Sequence, residues 1–343
     1  MWFSESIEGG LVIRQLMYNF MPNWWHQHYG LGWGRRMFFD PDHRLACHQR
    51  MRRLIHERFP RIPVGAPDPP PEVVAPELNN ASTPALAGCE VRFPEDNYPW
   101  SHHLPAQAIS SLCLPDDLSA CFPFTEVDAQ VSYLNEKLGA CAVPRWYVRG
   151  ILNDAVLLCG SSLLEDLYAD PTTVKRVLDY THALLSSVIS HNHVVGDRSP
   201  VMLCNCSVMM VSPDLYERRI LAYDRDIFDR VAGLGLKAAL HHCGNFDRYA
   251  SRYRSVPRID FIEIGSASDI RLALETFPEA DIQYIVDARF LATASRGDVS
   301  REMDRILTAA QGHWRRFQIN VPDIEFGTPD ENLTEIYLQC RTT

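Results

Sequence analysis

From residue 141 onward the sequence alternates between two patterns, and that rhythm restricts the folds open to it. Short apolar runs at 142–148, 201–206, 236–240, 259–264, 282–286 and 317–321 read as buried strands. The stretches between them carry apolar residues at helical spacing. In 171–188 these are Val174, Val177, Leu178, Leu184, Leu185 and Val188, behind Asp170-Pro171 as N-cap and first turn. In 298–310 they are Val299, Met303, Ile306, Leu307 and Ala310, with Asp298 as the expected N-cap. Strand, helix, strand, helix in sequence implies a parallel sheet with helical crossovers.

Polar residues follow several of these strands rather than one: Asn205 and Cys206, His241 and Cys243, Glu263, then Asp287 and Arg289. A doubly wound sheet gathers its ligand at one switch point, whereas a barrel gathers it at all the strand ends. No Gly-rich phosphate fingerprint follows an early strand. The expected fold is therefore α/β, a TIM-type barrel. Residues 1–80 read as a mostly helical extension with a proline-dense connector at 60–76, and residues 81–343 as the barrel.

The chemistry concentrates at Leu240-His241-His242-Cys243-Gly244-Asn245. Residues i and i+2 of a strand share a side, so His241 and Cys243 can face one ion, and imidazole with thiolate suits zinc. Glu263 ends the next strand, in a run too apolar for a free carboxylate. It needs a partner, either the metal beside Cys243 or an arginine such as Arg289. Three ligands, His241, Cys243 and Glu263, would leave a fourth position open, as in catalytic zinc sites. His242 then points away, and Cys206 reads as a buried small residue, with an extra thiolate as the alternative.

Around this group, Glu263, Asn205 and Asp287 are the candidate catalytic residues, and Arg289, Trp33 and Tyr223 the candidates for substrate contact. Asn205 is expected at a strand end facing the mouth. Trp24, Trp25, His26 and His28 could cover that mouth as a lid or pack against the barrel exterior. Arg252, Arg254 and Arg258 could attract an anionic tail or form a solvated face. His191 and His193 belong to a surface loop.

A net charge of −10 argues against nucleic acid as the main partner, since phosphate binding needs concentrated positive charge. No run approaches a membrane span, and the first residues, with Glu5 and Glu8, lack the apolar segment of a signal peptide. Ten cysteines without a small secreted framework point to reduced thiols in the cytoplasm.

Four segments, Arg149-Gly150-Ile151-Leu152, Val211-Ser212-Pro213-Asp214-Leu215-Tyr216, His241-x-Cys243-Gly244-Asn245 and Gly327-Thr328-Pro329-Asp330-Glu331-Asn332-Leu333, together resemble the uroporphyrinogen decarboxylase superfamily, which includes the zinc methyltransferases that demethylate methylcobamides. Arg149-Gly150-Ile151-Leu152 resembles its "RGPL" turn, and 164–170 followed by a long helix matches the neighbouring part. Val211-Ser212-Pro213-Asp214-Leu215-Tyr216 is similar to "LSPELY", and Gly327-Thr328-Pro329-Asp330-Glu331-Asn332-Leu333 to the terminal "TPxENL". His241-x-Cys243-Gly244-Asn245 matches the zinc motif of the methyltransferase branch. The arginine-rich "RQAGRY" segment of the decarboxylases has no counterpart beyond Gly34-Arg35-Arg36.

The resemblance implies a (β/α)8 barrel and transfer of a methyl group from a corrinoid, supplied by a partner protein, to a small thiol acceptor at one zinc ion. It also implies a late cysteine ligand, yet Asn320-Val321-Pro322-Asp323-Ile324-Glu325-Phe326 contains none. Cys340 lies beyond the motif. The zinc-binding Glu of cobalamin-independent methionine synthases, which follows His-x-Cys on the next strand, is similar to Glu263. A cofactor-free decarboxylase and a metal-binding accessory protein without turnover are the alternative readings.

Overall fold

The computed structural model describes residues 2–5 and 15–341. Nine strands are present among them: β1 (Trp2–Glu5), β2 (Gln15–Phe20), β3 (Val91–Arg92), β4 (Trp100–Ser101), β5 (Val201–Cys204), β6 (Ala238–His242), β7 (Phe261–Ile264), β8 (Asp281–Ile285) and β9 (Phe317–Ile324). Seven form one sheet in the order β1-β2-β9-β8-β7-β6-β5, while β3 and β4 pair separately. β1 runs antiparallel to β2, and the other six are parallel. Helices surround this parallel sheet, as the alternating sequence requires.

Five of the six expected strands form. The segment 142–148 does not. Pro144 has no N–H to offer a ladder, and two asparagine side chains take the peptide groups on either side of it. Asn135 accepts from Ala142 N at 2.9 Å and donates to Ala142 O at 2.8 Å. Asn192 accepts from Trp146 N at 3.3 Å and donates to Trp146 O at 2.8 Å. The chain runs there without a strand partner. Asn192 and its neighbours His191 and His193 belong to the last turn of the helix Pro171–Val194 rather than to a loop.

The first sixty residues hold two strands, β1 and β2, as well as helices. In β2, Leu16, Tyr18 and Phe20 are buried, and Tyr18 donates to Leu333 O of the last helix. Pro22–Tyr29 and Pro41–Arg58 are helical. Trp24 and Trp25 have no exposed surface; they pack with Phe20, at 4.5 and 5.9 Å between ring centroids, as core and not as a lid. The proline-dense connector lies along the helix Pro41–Arg58. Arg44 donates to Val74 O, Gln49 to Pro69 O and Arg53 to Pro67 O, satisfying carbonyls that prolines leave without a ladder.

The second long helix begins earlier than expected. Ser295 caps Arg296–Ala309, and Asp298 returns the bond from the third helical position, a reciprocal capping box. At 171 the expected cap forms, with Asp170 accepting from Thr173 N at 3.1 Å.

The two faces of the sheet differ in chemistry. Leu16, Leu203, Leu240, Ile262, Ile282 and Ile319 are at most 1% exposed and join the helices in one apolar core. On the opposite face the register aligns Cys204, His241, Glu263, Gln283, Gln318 and Gln15 in a single row. Asn320 of β9 projects to this same side. The inner side of the curved sheet is thus polar.

Candidate metal centre

β5 and β6 end side by side, and each carries ligand-type residues at alternate positions. Cys206 lies two residues beyond Cys204, and Cys243 two beyond His241. The backbone N–H of Asn205 donates to His241 O at 2.7 Å, which extends the pairing past the last strand residue. As a result, ligand atoms of Cys206, His241 and Cys243 lie within 4.8 Å of one another. Two ligands at about 2.3 Å from a tetrahedral zinc ion would stand roughly 3.8 Å apart. Two thiols and an imidazole at this spacing fit such an ion with a fourth position to spare.

Glu263 is placed behind this group. Its Oε2 hydrogen-bonds His241 Nδ1, and its Oε1 accepts from Asn320 Nδ2. The carboxylate meets its need for partners with a histidine and an amide, not with Arg289, whose residue is exposed. In this arrangement Nε2 is the nitrogen His241 has left for an ion. Carboxylate, histidine and metal in line is the common second layer of zinc sites.

The three side chains shift one another's proton affinities. The Cys243 thiol is pulled down to about 5, first by a hydrogen bond from Cys206 and then by His241. Cys206 is pushed up for the complementary reason, because it donates to Cys243. Burial works against a charged His241, but the Glu263 carboxylate raises it well above the usual imidazole value. Asp323, at the end of β9, is raised by loss of water and by Glu325, with Cys243 and Glu263 adding to the effect. Cys243 Sγ also lies 3.9 Å from Met209 Sδ, so thioether and thiolate share the rim.

The remaining candidates fall elsewhere. Asn205 has no exposed surface and turns to the helical side, where Nδ2 donates to Asp224 at 2.8 Å. It does not face the mouth, because strand alternation sends it opposite to Cys204 and Cys206. Asp287 caps the helix Ala288–Thr293, accepting from Phe290 N at 2.7 Å. Tyr223 lies in the outer helical layer, donating to Asp179 at 2.7 Å. Trp33 is buried with its ring edge against Tyr98. Arg252 pairs with Asp214 and Glu217, and Arg258 with Asp260, so these arginines are committed to surface ion pairs.

Cys206 is the member of the group that sequence reasoning undervalues. The signal was the same one that exposes His241 and Cys243: alternate positions at a strand end, on the adjacent strand.

A parallel α/β protein with a Cys-His-Cys group at neighbouring strand ends is the class that the geometry defines. Residues 81–337 match the family described as Uroporphyrinogen decarboxylase (URO-D), and the chain belongs to that family. Among solved structures, a methyltransferase from Methanosarcina mazei has a similar fold: TM-score 0.66 at 14% sequence identity, covering 98% of this chain and 94% of that one. No curated protein matches the sequence. No helix among the described residues is long and apolar enough to cross a membrane.

Proposed function

We propose that this chain is a zinc-dependent methyltransferase that moves a methyl group from a corrinoid, carried by a partner protein, to a small thiol acceptor. The observation that carries the reading is the convergence of Cys206, His241 and Cys243 at one point of the polar face. Zinc held there would supply Lewis acidity that lets an acceptor thiol lose its proton at neutral pH. The hydrogen bond from Cys206 and the neighbouring His241 draw the Cys243 thiol below its ordinary range, which favours its thiolate form. Glu263 fixes the ring of His241, and Asn320 fixes Glu263. Met209 stands over Cys243 at the rim.

The same reading completes the sheet as a (β/α)8 barrel, with chain that is not ladder-paired filling the space beside β5. Supporting this, a Cβ on Gly150 would lie 2.7 Å from Cys204 O, so the chain just before the helix Ile151–Cys159 lies against the end of that strand. We place the protein in the cytoplasm, in keeping with ten cysteines that are all free.

A decarboxylase acting on a carboxylated substrate is the second reading. It is favoured by Arg149, whose Nε is buried without a hydrogen-bond partner. The two separate in one set of assays. Metal analysis of the purified chain should find about one zinc per chain, lost in His241→Ala and Cys243→Ser. Methylcobalamin with a panel of small thiols should give thioether product. A metal-free chain that releases carbon dioxide from a polycarboxylate would replace the first reading by the second.

A further inference from the structure

Each ligand of the candidate metal centre has a neighbour that points the other way. Asn205 precedes Cys206, and His242 lies between His241 and Cys243. Both are wholly buried on the helical side of the sheet. Each is held there. Asn205 Nδ2 donates to Asp224 Oδ2 at 2.8 Å, and the Tyr216 hydroxyl donates to the same oxygen at 2.7 Å. The Tyr253 hydroxyl lies 2.9 Å from His242 Nδ1, behind the neighbouring strand end. Two short groups of bonds, Tyr216–Asp224–Asn205 and Tyr253–His242, therefore back the two ligand-bearing strand ends.

Asp224 is the costly member. It sits on the helix Leu221–Gly233 with no exposed surface, and its hydrogen-bond partners are a phenol and an amide. A buried carboxyl partnered only by neutral groups is unfavourable compared with an apolar side chain of similar size. It does, however, restrain Asn205. A Cβ added to Gly150 would lie 2.3 Å from Asn205 Oδ1, so the amide is wedged between Gly150 on one side and Asp224 on the other. Its peptide plane leads directly into Cys206.

We propose that Asp224 is a positioning residue for the metal centre: by clamping Asn205 it aims Cys206 at His241 and Cys243 and makes it the third ligand. The proposal rests on the reading of those residues as a metal site. It assigns a role to the one ligand that the late-cysteine pattern of the superfamily does not supply.

Cobalt(II) alone is the probe, added to the full purified chain. Thiolate-to-cobalt charge transfer reports how many cysteines bind, and competition with a chelator gives affinity. The wild-type chain is expected to show two thiolates and Cys206→Ser one. Asp224→Leu is expected to match Cys206→Ser, with affinity lower by roughly 10- to 100-fold. Asp224→Asn keeps an acceptor oxygen in place and should restore the two-thiolate spectrum. In the Cys206→Ser background, Asp224→Leu should cost nothing more, since the two act as a unit. Should Asp224→Leu not fold by circular dichroism, Asn205→Ala makes the same comparison.

Wild-type affinity and two thiolates in Asp224→Leu, or in Asn205→Ala where that variant stands in for it, overturn the proposal. So does an additive loss in the double variant, which marks general weakening of the fold. A wild-type chain that takes up no cobalt overturns the metal reading and this proposal with it. A wild-type chain that binds cobalt through one thiolate, unchanged by Cys206→Ser, overturns the proposal while leaving His241 and Cys243 as ligands.

Discussion

His241 Nδ1 is held by Glu263, and the imidazole ring is thereby fixed before any ion reaches it. A carboxylate in this position orients the ligand and raises its basicity, and its loss in other zinc sites lowers metal affinity about 10- to 100-fold. Glu263→Gln should lower zinc affinity by that order in a chelator competition, with the fold intact. An unchanged dissociation constant would remove Glu263 from the centre.

Gly150 packs against the end of β5, the strand that leads into Cys206. Its Cα packs against Cys204 O and Asn205 Oδ1, and a Cβ there would lie 2.7 and 2.3 Å from them. Gly150→Ala should push the end of β5 away and separate Cys206 from Cys243. The expected result is weaker cobalt charge transfer with near-native circular dichroism, and a native cobalt spectrum would contradict it.

Asp154 is fully buried, accepting from Thr83 at 2.6 Å and from Arg149 N at 3.1 Å. Burial pushes its carboxyl from 3.8 up to about 6. A carboxyl that binds its proton more tightly when folded stabilises the fold fully below its unfolded value. That contribution is lost as pH rises through the folded value, with a swing of up to roughly 3 kcal/mol. Urea unfolding with chelator present should therefore show wild type ahead of Asp154→Asn by more at pH 4 than at pH 7. Equal differences at both pH values would argue against the raised carboxyl.

Ser295 and Asp298 cap the same helix reciprocally. Ser295→Ala should destabilise the chain by about 1 kcal/mol in urea unfolding, with m unchanged. No change in midpoint would mean that the helix start is held by its packing alone.

Most of the sheet is legible in the sequence because β5 to β9 bury apolar residues on their helical face and alternate with helical patterns, even where Gln283, Gln318 and Asn320 interrupt the run. β2 is harder, since Gln15, Met17 and Asn19 interrupt Leu16, Tyr18 and Phe20. Alternation over six residues is a weaker signal than an apolar run beside aromatic helices. The segment 142–148 is apolar enough for a strand, but its peptide groups are taken by Asn135 at the end of the preceding helix and by Asn192 on the helix Pro171–Val194, 46 residues beyond Trp146. At the centre, His241 and Cys243 follow from spacing along one strand. Cys206 follows from the same spacing on its neighbour, yet seeing the three together requires the register between β5 and β6. Asn205 misleads for the reverse reason: its place at a strand end is plain, while the side it faces depends on which residues flank it.

The polar row on the inner face has a consequence for how such a chain can change. Leu16, Ile262, Ile282 and Ile319 hold the helices on, while Glu263, Gln283, Gln318 and Asn320 face the other way. Replacing an amide of that row alters what the interior can recognise and leaves the apolar contacts with the helices untouched. Selection can therefore revise the chemistry of the inner face one side chain at a time, without first having to rebuild the structure that carries it.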